Sequence, residues 1–209
     1  MNLPNKITVC RICLIPIFIF FYLATFIPYG KLVATIIFAI ACLTDFLDGH
    51  IARKRGLVTD LGKFLDPIAD KVVVMSGFIL LIASPITANG GQGLAEPAIF
   101  PSYVGIVAVI IILAREFIVS AFRQVAATKN IVLAADIYGK VKTVFQFITL
   151  IYYFLYAFIV EEFYYAIDGT ANTVISIVGY VFLAITVIMT IVSGWKYIAN
   201  NKQVLKDAK

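Results

Sequence analysis

The stretch that decides the reading of this chain is Asp45-Phe46-Leu47-Asp48-Gly49-His50-Ile51-Ala52-Arg53, then eight residues, then Gly62-Lys63-Phe64-Leu65-Asp66-Pro67-Ile68-Ala69-Asp70. Its four carboxylates fall in a chain of which only 14% is charged. On a helix, Asp45 and Asp48 are three apart and share a face, and Asp66 and Asp70 are four apart and share another. Two helices that face each other across these residues bring four carboxylates within a few ångströms. Bare, such a group repels itself and is costly to bury ionised. A divalent cation removes that cost, and carboxylate oxygens suit Mg, Mn or Ca. Four carboxylates are also enough for two ions, the arrangement that clamps entering and leaving oxygens in phosphoryl displacement.

The small residues of the stretch point the same way. Gly49, Ala52 and Gly62 leave bare backbone beside the carboxylates, so a ligand or another helix can approach closely. Arg53 and Lys63 place positive charge one turn from the acids, which suits a phosphorylated ligand. The spacing Asp-x-x-Asp-Gly-x-x-Ala-Arg, eight residues, Gly-x-x-x-Asp-x-x-x-Asp resembles the CDP-alcohol phosphotransferase signature at every fixed position: Asp45, Asp48, Gly49, Ala52, Arg53, Gly62, Asp66 and Asp70. The competing reading, an acidic loop with two helix caps, does not require this many matched positions.

Outward from the signature, 62% of the 209 residues are hydrophobic and the apolar material comes in several blocks. Soluble domains carry roughly 25% charge, so the chain reads as an all-α, polytopic integral membrane protein forming a single domain over residues 1–209. One cleaved signal peptide does not explain several apolar blocks, and the N-terminus, Met1-Asn2-Leu3-Pro4-Asn5-Lys6, reads as mature. Cys10, Cys13 and Cys42 are too few for a disulfide framework and are expected as buried thiols. His50, the one histidine, reads as a helix-surface residue rather than a ligand. The net charge of +5 is a topology signal and not a nucleic-acid one.

Six spans are expected, after a short interfacial segment over residues 1–11. Span one runs from about Ile12 to Tyr29, with a possible early kink at Pro16 and a tight turn at Pro28-Tyr29-Gly30. Its uncharged run is long enough to cross roughly 30 Å of hydrocarbon. Span two starts near Lys31, is apolar to about Thr44 and then carries Asp45, Asp48 and Arg53. Charges within a span are expensive and mark function. Thr59 or Asp60 caps span three, from about Leu61 to Ala83; Pro67 either sits in a continuous, kinked helix, which is favoured, or opens a helix capped by Asp66. A polar loop over 84–97 follows. Span four runs from about Ala98 to Thr128 through Arg115, Glu116 and Arg123. Span five starts near Asp136, Glu161 and Glu162 fall in the next loop with Asp168, and span six covers about Thr170 to Trp195. Of 17 basic residues, only Lys31 falls at the boundary opposite the signature. The positive-inside rule therefore puts both termini and the aspartates in the cytoplasm.

A second constellation lies at the same depth. Arg115 and Arg123, with Lys140 and Lys142, form a cationic pocket suited to a soluble phosphomonoester; the bland alternative is snorkelling toward lipid headgroups. Ala114–Arg123 and Gly139–Gln146 resemble segments of the phosphatidylglycerophosphate-synthase branch of the family. The opening Pro4-Asn5-x-x-Thr8-x-x-Arg11 is similar to a segment common in the family, and implies that Asn5, Thr8 and Arg11 lie near the nucleotide pyrophosphate. Capping and snorkelling explain these three equally well.

The resemblance implies a homodimeric enzyme of a bacterial cell membrane that moves a phosphatidyl group from CDP-diacylglycerol to sn-glycerol 3-phosphate, giving phosphatidylglycerol phosphate and CMP. On that basis Asp45, Asp48, Asp66 and Asp70 hold two Mg or Mn ions and Asp70 is the base. Gly49, Ala52, Arg53, Gly62 and Lys63 shape the CDP-lipid site. No activated Ser, Cys or His nucleophile is evident, so direct displacement is expected. Two alternatives stay open: another acceptor (inositol phosphate, serine or phosphatidylglycerol), and a divalent-cation transporter. The transporter is disfavoured because the acids sit at one boundary and the opposite halves of the spans show no polar track.

Overall fold

The computed structural model describes residues 3–55, 60–83, 102–128, 137–163 and 169–202, and the side chains within them apart from those of 3–6, 45–55, 60–64, 66 and 102. The described residues form six helices: α1 (Leu3–Leu23), α2 (Gly30–Arg55), α3 (Asp60–Ala83), α4 (Ser102–Thr128), α5 (Ile137–Phe163) and α6 (Gly169–Asn200). Over Tyr103–Thr128, Ile137–Phe163 and Gly169–Asn200 the helices are long and apolar enough to cross a membrane. α1 and α2 carry shorter apolar stretches, Ile7–Leu23 and Gly30–Thr44, the second ending where Asp45 begins. Apolar side chains such as Phe20, Ile40, Ile79, Ile110, Ile148 and Ile188 stand exposed on the outer surface. The protein is an all-α polytopic membrane protein.

Several boundaries differ from the sequence reading, each for a local reason. The expected interfacial lead-in is already helix: α1 starts at Leu3, since Pro4 in a first turn forfeits no helical hydrogen bond. It passes through Pro16 and ends at Leu23 rather than at Tyr29. The link to α2 closes with Gly30 N–H donating to the Ile27 carbonyl at 3.0 Å. Pro28 takes the second position of that turn and Tyr29, at φ 59°, the third, the pattern of a type II turn. Tyr29 N–H also donates to the Glu162 carboxylate at 3.3 Å, and its ring lies 6.1 Å from that of Phe158. A Cβ on Gly30 would stand 2.8 Å from the Phe21 carbonyl oxygen, so only glycine lets α2 start this close to α1.

α3 is continuous through Pro67, as expected. α4 is described from Ser102, the expected start at Ala98 lying outside the described residues, and α6 continues five residues beyond Trp195 to Asn200. Glu161 and Glu162 belong to the last turn of α5 and not to a loop. The ammonium of Lys31 draws Glu161 in, at 3.0 Å. The polar stretch 84–97, Thr59 and Asp168 lie outside the described residues.

α1 buries Thr8, Arg11, Ile15, Phe18 and Tyr22, a stripe spaced by alternating threes and fours. Cys10 and Cys13 fall on the opposite face and are exposed, which corrects the expectation of buried thiols; Cys42 is buried. α1 packs on α2 and α3, α2 on α5, α3 on α4 and α5, and α6 on α4 and α5. The core centres on Phe18, Phe38 and Phe154, whose rings meet edge-on or tilted at 5.0–6.2 Å between centroids. Phe78, Leu81, Ile112 and Leu150 close around them.

α5 and α6 are joined by polar groups as well as apolar ones. The Thr149 and Thr186 hydroxyls are 2.7 Å apart. Tyr152 OH donates to the Ile175 carbonyl at 2.6 Å, and Tyr156 OH to Asn172 Oδ1 at 2.9 Å. These polar side chains of α5 and α6 bond between the two helices. Each is engaged by the neighbouring helix, the use small hydroxyl residues have between membrane helices.

Candidate functional site

Helix periodicity makes α1 present Arg11 to α3. One turn after the buried Thr8, its side chain is 1% exposed and its Nη1 donates to Asp70 Oδ1 at 2.6 Å. Two residues singled out from separate motifs, 59 positions apart, are therefore in contact. Asp70 keeps its carboxylate 45% exposed, so a ligand can still reach it.

Asp45 and Asp48 lie on the unbroken α2, and Asp66 and Asp70 on the unbroken α3, which keeps the spacings that set each pair on one face. α2 and α3 meet. The side chains of Asp45, Asp48 and Asp66 lie outside the described ones, as do those of Asn5, Ala52, Arg53 and Lys63; Gly49 and Gly62 are described only as helical positions. The donor set is oxygen only, on two adjoining helices, with the one described carboxylate exposed and oriented by an arginine. That chemistry fits a hard divalent cation.

The second constellation is built by three helices. On α4, Arg115 and Arg123 are two turns apart, and α6 anchors both. Arg115 Nη2 donates to Ser193 Oγ at 3.0 Å. Arg123 Nε donates to Tyr197 OH at 3.0 Å, and its guanidinium sits 5.1 Å from the centre of that ring. Eight residues of α4 span about 12 Å, whereas the four from Ser193 to Tyr197 span about 6 Å. The anchors thus draw two like charges together. Gly194 makes the approach possible, because a Cβ there would be 3.0 Å from Arg115 Cγ. Arg115 Nε is buried with no hydrogen-bond partner among the described residues.

Of the two α5 lysines, Lys140 is exposed on the first turn. Lys142 is 2% exposed and its ammonium meets the Glu116 carboxylate. Glu116 also lies 3.6 Å from Arg115 and 3.5 Å from the Gln146 amide. The structure thus brings Arg115, Glu116 and Lys142 together, with Arg123 two turns on along α4 and held by Tyr197 of α6.

Sequence reasoning missed Ser193, Gly194 and Tyr197, and gave Ser120 no role within the Ala114–Arg123 segment. It also missed Lys71, whose ammonium hydrogen-bonds the Ser120 hydroxyl of α4. The one legible signal was periodicity. Gly179, Leu183, Thr186, Thr190, Gly194 and Tyr197 form the buried stripe of α6, and small or polar residues at such spacing mark a packed membrane face.

Residues 1–192 match the family model for CDP-alcohol phosphatidyltransferase. The chain is similar to a Bacillus subtilis protein named CDP-diacylglycerol–glycerol-3-phosphate 3-phosphatidyltransferase, with 37% identity over 99% of this chain and 98% of that protein. A Rickettsia bellii protein of the same name is 34% identical over 94% of this chain and 93% of its own. An Arabidopsis thaliana protein carrying that name with the suffix 2 is 38% identical over 72% of this chain and 63% of its own. An acidic site on α2 and α3, a cationic one on α4 to α6, and a match running almost end to end agree: the chain belongs to the CDP-alcohol phosphatidyltransferase family.

Proposed function

We propose that this protein is a phosphatidylglycerophosphate synthase, moving the phosphatidyl group of CDP-diacylglycerol to sn-glycerol 3-phosphate in phospholipid biosynthesis. The observation that carries the reading is the adjacency of the two constellations. Asp70 is followed on α3 by Lys71, and Lys71 bonds α4 at Ser120, three residues before Arg123. Carboxylates for the reacting centre thus adjoin cations for an acceptor phosphate. The names of the relatives support the same pair of substrates.

In this reading the acyl chains stay among the apolar helices while the pyrophosphate lies at the aspartates. Asp45, Asp48, Asp66 and Asp70 hold the divalent metal, Mg or Mn and two ions in all, which when bound neutralises the pyrophosphate and the charge on departing CMP. Asp70 accepts the proton of the glycerol hydroxyl as its oxygen attacks the phosphatidyl phosphorus. The bond from that phosphorus to CMP breaks, and CMP leaves with the electron pair. Arg11 fixes the Asp70 carboxylate through its 2.6 Å contact, which orients the base. Asn5 and Thr8 lie on the same helix, and with Gly49, Ala52, Arg53, Gly62 and Lys63 they shape the nucleotide side. Arg115 and Arg123 grip the acceptor phosphate, while Lys140 and Lys142 add positive potential, Lys142 held by Glu116.

The protein works as a homodimer in a bacterial inner membrane, with the site and both termini in the cytoplasm. The pairing of Lys31 with Glu161, away from the other basic residues, supports that orientation. The test is CMP release from CDP-diacylglycerol by purified protein. Release that needs both sn-glycerol 3-phosphate and Mg or Mn, and stops with a chelator, is the expected result. Metal-dependent release indifferent to glycerol phosphate refutes the acceptor assignment. No release with any acceptor refutes the enzyme assignment.

A further inference from the structure

Lys71 stands between the two halves of the site. It follows Asp70 on α3, and its ammonium donates to the Ser120 hydroxyl. Ser120 and Arg123 are three apart on α4 and share a face, and the charges of Arg123 and Asp70 both act on Lys71. Other cations of the interior have carboxylate partners: Arg11 has Asp70, Lys31 has Glu161 and Lys142 has Glu116. Among the described residues, Lys71 and Arg123 form no ion pair and are held by hydroxyls instead, those of Ser120 and Tyr197. A hydroxyl fixes a cation without neutralising it. Two such cations on facing helices repel each other unless an anion joins them.

The place of this pair also limits the anion. Lys71 and Asp70 are neighbours on α3, their Cα atoms about 3.8 Å apart, and the Asp70 charge reaches the Lys71 ammonium although the two side chains leave the helix in different directions. An acceptor with a hydroxyl only a few bonds from its phosphate needs a cation at that separation from the base. A bulky acceptor whose charge lies farther off does not.

We propose that Lys71 contacts the acceptor's phosphate directly, as a third cation beside Arg115 and Arg123, and selects a short phosphorylated acceptor by setting the phosphate's distance from Asp70. This rests on the acceptor reading given above. The competing source of the same chemistry is the pyrophosphate of the lipid donor, and the test separates the two.

Kinetics are measured on the full-length protein in lipid–detergent micelles, varying each substrate in turn. Lys71→Ala is expected to raise the KM for sn-glycerol 3-phosphate by about tenfold or more, with the donor KM within about twofold of wild type. Lys71→Arg restores most of the loss. Ser120→Ala, which frees the ammonium but keeps the charge, shifts the acceptor KM in the same direction by less. Pairing Lys71→Ala with Arg123→Ala costs less than the product of the single effects, because both cations hold one phosphate. An equal rise in donor KM overturns the proposal in favour of the pyrophosphate, and an unchanged acceptor KM overturns it outright. If Lys71→Ala does not fold, an unchanged acceptor KM in Ser120→Ala does the same. Wild-type protein inactive with sn-glycerol 3-phosphate refutes the underlying reading; an active wild type with insensitive variants refutes this inference alone.

Discussion

Replacing Glu116 by alanine is the sharpest test of how the cationic site is held. Lys142 is 2% exposed and Glu116 16%, so the variant leaves an ammonium inside the helix bundle without its counter-charge. Breaking a buried ion pair from one side costs about 3–5 kcal/mol. The partial exposure of Glu116 favours the lower end, about 3 kcal/mol. For a chain of this size that lowers the unfolding midpoint by roughly 6–12 °C. The measurement is thermal unfolding in detergent, followed by loss of the monodisperse peak on size exclusion. The logic also requires that removing both charges be far milder than removing one. Glu116→Leu with Lys142→Met should lie within about 1 kcal/mol of wild type, since an apolar pair avoids the desolvation cost. A midpoint shift below about 2 °C in the single variant, or a double variant as unstable as the single, refutes the reasoning.

Other perturbations separate the remaining roles. Arg11→Ala should lower turnover by about tenfold or more while stability changes by less than about 2 kcal/mol, because the exposed Asp70 rehydrates; normal turnover removes Arg11 as the residue orienting the base. Asp45→Asn or Asp66→Asn should abolish turnover and weaken Mn binding measured by titration calorimetry, and near-normal values of either would remove that residue from the metal site. Gly194→Ala pushes a methyl against Arg115 and displaces its hydrogen bond to Ser193. That loss, about 1.5–3 kcal/mol for a charged donor, raises the acceptor KM about tenfold or more, with little change for the lipid donor. Gly30→Ala forces apart α1 and α2 at the Phe21 carbonyl and should cost about 1–3 kcal/mol of stability with both KM values unchanged.

The aspartate stretch was legible because its information is local: the spacings 45/48 and 66/70 need only helical periodicity to become faces, and the helix through Pro67 kept them. Helix number was legible for the same reason, since long uncharged runs admit no other fold in lipid. What escaped notice depends on contacts between distant residues. Ser193 and Tyr197 matter because they meet Arg115 and Arg123, 78 and 74 positions away, and nothing near them in the chain announces this. Cys10 and Cys13 were assigned to the wrong side because α1 is apolar all round, so composition does not say which face is buried. Glu161 and Glu162 read as loop acids, whereas Lys31 of α2 and Tyr29 of the turn before it meet them at the end of α5.

The anchoring of Arg115 and Arg123 on α6 also has a bearing on biogenesis. A nascent chain emerges N-terminus first, so the aspartate helices and α4 are made before α6 exists. Until α6 threads in beside α5, along the threonine and tyrosine hydroxyls that await it, both guanidiniums lack the partners that draw them together. On the proposed reading the acceptor site is therefore completed by the last helix to insert, and a chain stalled in translation before that point lacks the two contacts that hold Arg115 and Arg123.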